Sequence, residues 1–312
     1  EIGTGDWSSD VCSSDLLIPI KKDHILNKTL VAHSPDADDI FMYYAIKLGW
    51  VDLHGTKFDN LAADIETLNQ ATLKGEYDIC AISFALYPFV KNDFALLKTA
   101  VSFGDGYGPK LVKKKGVKLK RNFKIALSGE YTTNALLFKI KYPEARVTYM
   151  NFLDIEGAVL DGTVDAGALI HESILTYDQS LEVEAELWDI WQELAGKELP
   201  LPLGGMCLRR SIPLNKAIDY ENTLIKAVKV ANDNKLLLSK MLLERDLIRV
   251  DHDTLQTYLG LYANDDSIEL SPLQYQALDK LYSLGFEHGF YDDLIKSQDY
   301  LIPSEYEDLR NS

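Results

Sequence analysis

Three aspartates fall within four residues of the stretch HSPDADDIF, which runs from His33 to Phe41. Crowded carboxylates after a predicted strand can bind a metal ion or supply a nucleophile. They equally suit the start of a helix, where Ser34 and Asp36 would cap free N–H groups and acids favour the positive end of the helix dipole. The other predicted strand ends offer no clear further carboxylate for a magnesium site. We therefore interpret Asp36, Asp38 and Asp39 as the capped start of a helix.

A histidine is the side chain best suited to take a proton near neutral pH. His171 directly follows the apolar stretch VDAGALI, which is typical of a buried strand. It is either a general base or a structural histidine whose ring nitrogens are both bonded, and His33 is a weaker second candidate. The sequence contains no HExxH zinc spacing, no GxSxG turn and no GxxxxGK[ST] phosphate loop.

Two threonines, Thr132 and Thr133, lie in the first turn of the helix predicted for EYTTNALLFKIKY. Their hydroxyl groups and the free N–H groups of a helix start would hold a carboxylate or a phosphate. Capping alone also explains threonines at this place. Both interpretations stay open on the sequence.

Strand and helix patterns alternate up to about Arg210, which indicates a parallel α/β sheet, and the pattern restarts once along the way. The chain from Asn215 to Tyr300 is almost wholly helical. We predict a large α/β domain formed by residues 17–112 and 211–312, and a small α/β domain, residues 113–210, inserted in it. We exclude residues 1–16, which have no helix or strand period and look like translated sequencing-adaptor DNA rather than native protein.

Two lobes joined by crossover segments form a cleft, and ligands of open α/β sheets bind beyond the carboxyl ends of the strands. The candidate binding residues are therefore the polar residues that follow predicted strands. They are Ser34, Ser83, the run from Ser128 to Thr133, and His171.

The net charge of −16 argues against a nucleic-acid partner, which needs a basic surface. The sequence has no apolar run near the roughly 20 residues of a membrane span. Outside the adaptor-like segment the cysteines are Cys80 and Cys207. Both lie in apolar stretches without CxxC spacing, so we expect small buried side chains in a reducing cytoplasm.

Seven stretches between Leu30 and Arg210 occur together in the order known from one family. They are SPDADDIF, IETLNQATLKG, ISFALYP, GYGP, SGEYTTNALLF, GALIHES and LPLPLGGMCLRR. In this combination the chain resembles the MqnA/MqnD family of menaquinone biosynthesis, and its MqnD branch in particular. The resemblance implies an α/β, two-lobed fold like that of type II periplasmic binding proteins, with a cleft between the lobes and a helical C-terminal segment.

The resemblance further implies a cytoplasmic enzyme of the futalosine pathway, a carbon–carbon lyase with 1,4-dihydroxy-6-naphthoate synthase activity. Its small-molecule substrate would be cyclic dehypoxanthinylfutalosine, with no metal or redox cofactor. The family's catalytic base falls on His171. Its substrate-binding positions fall on Ser83, Thr132, Thr133 and Asn69, and Ser34 borders the same cleft.

The first loop departs from the family pattern S-P-C-P-N-D-x-F, because Asp36 replaces the cysteine and Asp38 the asparagine. This change marks either a divergent branch with the same activity or a related substrate. Two alternatives remain: a solute-binding protein of a transport system, and the sister chorismate dehydratase. The stretch GALIHES speaks against the dehydratase, and no secretion signal is visible before the first strand.

Overall fold

The structure of the protein, a computed structural model, describes residues 29–35, 37–53, 55–196, 199–245 and 250–303. The adaptor-like segment 1–16 and the predicted capping role of Asp36 lie outside the described residues, as does the side chain of Asp38.

Strands and helices alternate over much of the first two thirds of the chain, except that β4, β5, β6 and β7 follow one another without a helix between them. The strands are β1 (Thr29–His33), β2 (Phe58–Ala62), β3 (Ile79–Ser83), β4 (Phe94–Leu96), β5 (Ser102–Gly104), β6 (Lys110–Lys114), β7 (Lys124–Leu127), β8 (Arg146–Tyr149), β9 (Ala166–Leu169), β10 (Leu181–Glu186) and β11 (Leu201–Arg209). The helices are α1 (Ala37–Lys47), α2 (Ile65–Leu73), α3 (Tyr87–Val90), α4 (Thr133–Lys141), α5 (Phe152–Asp161), α6 (Leu187–Ala195), α7 (Leu214–Asp233), α8 (Lys235–Glu244), α9 (His252–Tyr262) and α10 (Pro272–Glu287).

The first sheet has the order β2-β1-β3-β11-β4, and β5 also pairs with β11. Strands β1, β2 and β3 are parallel, since α1 and α2 carry the chain across the sheet between them. Strand β11 runs antiparallel to β3, β4 and β5. The sheet is therefore mixed, and the prediction of a parallel sheet holds only for its first three strands.

The second sheet has the order β10-β6-β9-β7-β8. Strands β7, β8 and β9 are parallel, whereas β6 is antiparallel to both β9 and β10. We call residues 110–195, built on this sheet, the small lobe. Residues 29–104 and 201–303, built on the first sheet, form the large lobe.

The borders between the lobes differ from the predicted ones. Strand β6 spans the predicted border between Val112 and Lys113 and belongs wholly to the second sheet. Residues 201–209, predicted to belong to the small domain, form β11 and lie within the first sheet. Both strands follow a crossover between the lobes and pair antiparallel with their neighbours, so strand–helix alternation carries no signal of the sheet to which they belong.

The helical tail packs on the large lobe. Helices α7 and α9 contact α1, and α10 contacts β11. Helix α10 begins with a capping box, in which Ser271 and Gln274 each bond the other's backbone N–H. Within the described residues, no helix is both long and apolar enough to cross a membrane.

A smaller apolar cluster fills the space between α5 and the second sheet. Ile155 and Val159 of α5 are buried there against β9. A Cβ atom on Gly167 of β9 would lie 2.4 Å from Ile155 Cγ2 and 2.9 Å from Val159 Cγ2. Gly167 thus lets the helix approach the sheet closely.

We expect Gly167→Ala to lower the free energy of unfolding by about 1–3 kcal/mol, because the added methyl group overpacks this contact. Gly157→Ala is the matched control in the neighbouring α5. Nothing lies within 4 Å of its added Cβ, and alanine should raise stability by about 0.5–1 kcal/mol through helix propensity. Urea unfolding midpoints test both, and equal effects of the two substitutions would contradict the packing argument.

Candidate functional site

A cavity lies between the two lobes, at the carboxyl ends of strands from both sheets. From the large lobe it is lined by Ser34 after β1, Asp39 in α1 and Ser83 at the end of β3. From the small lobe it is lined by Ser128 after β7, by Thr132 and Thr133, and by His171 after β9. The structure thus brings the predicted strand-end candidates Ser34, Ser83, Thr132, Thr133 and His171 to one place, and Asn69 lies one layer behind.

The cavity volume is about 120 Å³. For comparison, an engineered protein cavity of roughly 150 Å³ accommodates benzene. The cavity therefore has room for about one aromatic ring in this arrangement of the lobes.

Ser83 is held by Asn69 through two hydrogen bonds. The Ser83 backbone N–H donates to Asn69 Oδ1 at 3.0 Å, and Asn69 Nδ2 donates to Ser83 Oγ at 3.2 Å. Asn69 is fully buried and is not part of the cavity lining. Since Ser83 Oγ accepts from the amide, its own hydrogen points elsewhere, and no described residue accepts it. Ser83 is thereby oriented as a donor towards the cavity.

Asp39 fixes the turn before α1 and also lines the cavity. Its Oδ2 accepts the backbone N–H of Ser34 at 2.8 Å, which fixes the turn between β1 and α1. This bond is made to the turn before α1 and not to an N–H group of the helix itself, so the predicted capping of the helix stays a prediction. Its position in the cavity lining also makes it an ionisable group that a ligand would meet.

His33, the weaker histidine candidate, is bonded at both ring nitrogens. Nδ1 lies 2.7 Å from the Ser34 carbonyl and Nε2 lies 3.1 Å from Asn60 Nδ2. Both ring nitrogens therefore have partners within the protein. The ring also stacks on Tyr43 and is buried, which makes His33 a structural residue.

Helix α4 starts at the cavity. Thr132 is its N-cap, with Oγ1 accepting the Ala135 N–H at 3.2 Å and facing the Gly129 carbonyl at 3.0 Å. Thr133 Oγ1 donates to the carbonyl of Leu203, on the large lobe, at 3.1 Å. The threonine hydroxyls are therefore used within the protein. The anion-binding groups left at this end are the first-turn N–H groups of Thr133 and Asn134, which have no intrahelical acceptor.

His171 has a left-handed backbone, with φ of 56°. Its half-buried ring lies edge-to-face against Phe152, with ring centroids 5.0 Å apart. Ala100, on the opposite side of the cavity, has φ of 54°. These are the non-glycine residues with positive φ in the described chain, and both line the cavity. Backbone strain of this kind is typical of functional sites and is maintained by the surrounding structure.

Tyr258 is a site residue that the sequence analysis missed. This side chain belongs to α9 of the helical tail, is 2% exposed and lines the cavity. Its neighbours Leu255 and Leu259 are buried core residues, so by its spacing Tyr258 matches an ordinary buried helix face. Only the return of the tail to the large lobe brings its ring to the site.

The cysteines offer no nucleophile. Cys80 and Cys207 face each other on β3 and β11 and are fully buried. Burial raises the pKa of the Cys80 thiol to about 12 and that of Cys207 well above its ordinary value. Among the described residues, no three histidine, cysteine or carboxylate side chains come together as a metal site.

A sequence profile of the family described as menaquinone biosynthesis matches residues 29–287, most of the chain. The chain belongs to this menaquinone-biosynthesis family. The match covers both lobes and the helical tail up to the end of α10, and it confirms the resemblance seen in the sequence motifs.

Two curated relatives carry the name 1,4-dihydroxy-6-naphthoate synthase. The protein from Streptomyces coelicolor is 29% identical over 266 residues, which cover 83% of this chain and 93% of that protein. The protein from Thermus thermophilus is 31% identical over 183 residues, which cover 57% of this chain and 65% of that protein.

Solved structures share the fold of this family member. Protein AF1704 from Archaeoglobus fulgidus has a TM-score of 0.79 and 35% identity, and the match covers 86% of this chain and all of that one. The alkanesulfonate-binding protein SsuA from Xanthomonas axonopodis pv. citri has a TM-score of 0.65 at 14% identity, covering 88% and 97% of the two chains. The predicted periplasmic-binding-protein fold is confirmed by these likenesses.

The left-handed backbone of His171 generates a prediction about stability. His171→Gly and His171→Ala both remove the imidazole, but only glycine adopts positive φ without steric cost. We expect the glycine variant to be more stable than the alanine variant by about 1 kcal/mol. Thermal unfolding of the pair measures this, and an alanine variant at least as stable would show that the backbone carries no strain there.

Asn69→Ala should lower the free energy of unfolding by about 1–3 kcal/mol, because the buried N–H of Ser83 loses its acceptor. Asn60→Ala, which removes an amide partner of His33 at a partly buried position, is the control and should cost less. Chemical denaturation compares the two. A smaller loss for Asn69→Ala than for Asn60→Ala would contradict the argument that Asn69 holds Ser83 in place.

Proposed function

We propose that the protein is a 1,4-dihydroxy-6-naphthoate synthase that acts on cyclic dehypoxanthinylfutalosine. The observation that carries this proposal is the meeting of His171 with the N-terminus of α4 and the Ser83 hydroxyl in one cavity, within a chain whose curated relatives bear that enzyme name. A cytoplasmic location accords with this biosynthetic role.

His171 acts as the general base in the proposed reaction. It takes a proton from a hydroxyl group of the substrate, and the carbon–carbon bond next to that hydroxyl breaks in retro-aldol fashion. The hydroxyl carbon becomes the carbonyl of the departing three-carbon fragment, the bonding pair turns the neighbouring ketone into an enolate, and the proton returns from His171 to the enolate oxygen. Aromatisation of the new ring supplies the driving force.

The start of α4 stabilises negative charge in this scheme. The first-turn N–H groups of Thr133 and Asn134 would bind the ring carboxylate or the developing enolate. This differs in one respect from the roles expected from the family, because the hydroxyls of Thr132 and Thr133 already bond within the protein. The threonines then act through the helix start that they fix.

Ser83 would donate its hydroxyl hydrogen to an oxygen of the sugar-derived part. Asn69, fully buried behind it, would position the serine without touching the substrate. Ser34 would contribute through the turn that Asp39 fixes. Closure of the lobes over the cavity would keep water from the reactive intermediate.

We expect His171→Ala to lower kcat by about 10²–10⁴, the usual contribution of a positioned general base. His288→Ala is the matched control, since His288 is exposed at the end of α10, far along the chain from the site elements. Release of the dihydroxynaphthoate by purified protein is followed in both. Wild-type turnover by His171→Ala would show that His171 is not the general base.

The alternatives are separated by substrate. The proposed synthase releases naphthoate from the cyclic substrate and leaves chorismate unchanged. Loss of chorismate absorbance would instead reveal the sister dehydratase. Binding of the cyclic substrate without any turnover, at every pH tested, would favour a solute-binding protein.

A further inference from the structure

The side chain of Glu66 reaches from the large lobe to the small lobe beside the cavity. It lies in the first turn of α2, and its Oε2 accepts the backbone N–H of Tyr131 at 3.4 Å. Gln70 holds the other oxygen, with Nε2 donating to Oε1 at 2.9 Å. One carboxylate therefore gathers donors from both lobes.

The small lobe is shaped to receive this carboxylate. A Cβ atom on Gly129 would lie 2.2 Å from Glu66 Oε2 and 2.6 Å from Cδ. Any other residue at position 129 would push the two lobes apart or displace Glu66. We call residues 129–131 the receiving loop.

Two further contacts join the lobes near the receiving loop. The ring of Tyr131 meets that of Phe89, from α3 of the large lobe, at 5.4 Å between centroids in an edge-to-face arrangement. Thr133 bonds the Leu203 carbonyl across the cavity. Glu66 is the charged member of this set, and charged acceptors form the stronger hydrogen bonds.

The receiving loop lies between residues that line the cavity. Ser128 precedes it, and Thr132 and Thr133 follow it. Glu66 is absent from the lining, although its neighbour Ile65 is part of it. A group that holds the loop thus sets the place of the α4 start without contact with a ligand in the cavity.

We propose that Glu66 is a positioning residue that latches the small lobe onto the large lobe and so holds the binding site closed. Burial raises the pKa of the Glu66 carboxyl, and the hydrogen bonds from Gln70 and Tyr131 oppose that rise. These donors compensate the partly buried charge, and opening the lobes removes the one on the receiving loop. Closure and the pairing of this charge are coupled.

Glu66→Gln tests the latch through enzyme kinetics, and this test rests on the proposed function. The amide keeps the size of the carboxylate but turns one acceptor oxygen into a donor that faces backbone N–H groups. We expect the closed fraction of the free protein to fall and KM to rise about tenfold, since affinity scales with the population of the competent state. The value of kcat should stay within about twofold, because saturating substrate closes the lobes.

Two further variants serve as a control and as a second test of the same contact. Glu76→Gln makes the same chemical change at an exposed glutamate just beyond α2 and should leave KM and kcat unaltered. Gly129→Ala disturbs the same contact from the small-lobe side and should raise KM as Glu66→Gln does. A fall in kcat at unchanged KM in Glu66→Gln would overturn the latch, as would a KM within twofold of the wild type.

Small-angle X-ray scattering of the ligand-free proteins supplies an arm that is independent of the reaction. The radius of gyration of Glu66→Gln should exceed that of the wild type and of Glu76→Gln. An unchanged radius overturns the proposal. If wild-type protein fails to turn over cyclic dehypoxanthinylfutalosine, the proposed function falls, and the scattering comparison alone decides on the latch.

Discussion

The antiparallel pairing of β11 with β3 is the interaction on which the rest of the structure depends. It places Gly204 opposite Ser83 and Cys207 opposite Cys80, and it ends the excursion of the chain through the small lobe. A Cβ atom on Gly205 would lie 2.7 Å from the Phe84 ring, so the chain closes against β3 only with glycine there. This pairing presents the Leu203 carbonyl to Thr133 and returns the helical tail, with Tyr258, to the large lobe.

Around that pairing, the site is built from polar groups that are costly to bury and are therefore bonded. Asn69 satisfies the Ser83 backbone, Asp39 satisfies the Ser34 backbone, and Thr132 caps α4. An unpaired buried group costs about 1–3 kcal/mol, so each of these bonds fixes a side chain or a turn at the edge of the cavity. The Ser83 hydroxyl and the first N–H groups of α4 are among the donors that remain for a ligand.

The sequence predicted the positions of the site better than the contacts within it. Ser34, Ser83, Ser128 and His171 were found because the carboxyl ends of strands meet at one edge, a consequence of sheet geometry alone. The place of Asn69 behind Ser83 was not predictable, since a helix residue can face either the ligand or the layer behind it. Tyr258 and β11 were missed for a common reason, because tertiary packing of distant segments leaves no local pattern.

The discontinuous large lobe has a consequence for the order in which the protein can fold. During synthesis β3 emerges more than a hundred residues before its partner β11, and until then one edge of β3 has no strand to pair with. The small lobe, a continuous stretch of chain, makes its own pairings earlier and at lower entropic cost. A nascent chain would therefore hold a finished small lobe between two halves of an unfinished large one. In that interval the unpaired edge and the apolar side chains of β3 would be exposed. Rapid translation or a chaperone would then protect β3 from pairing with other chains.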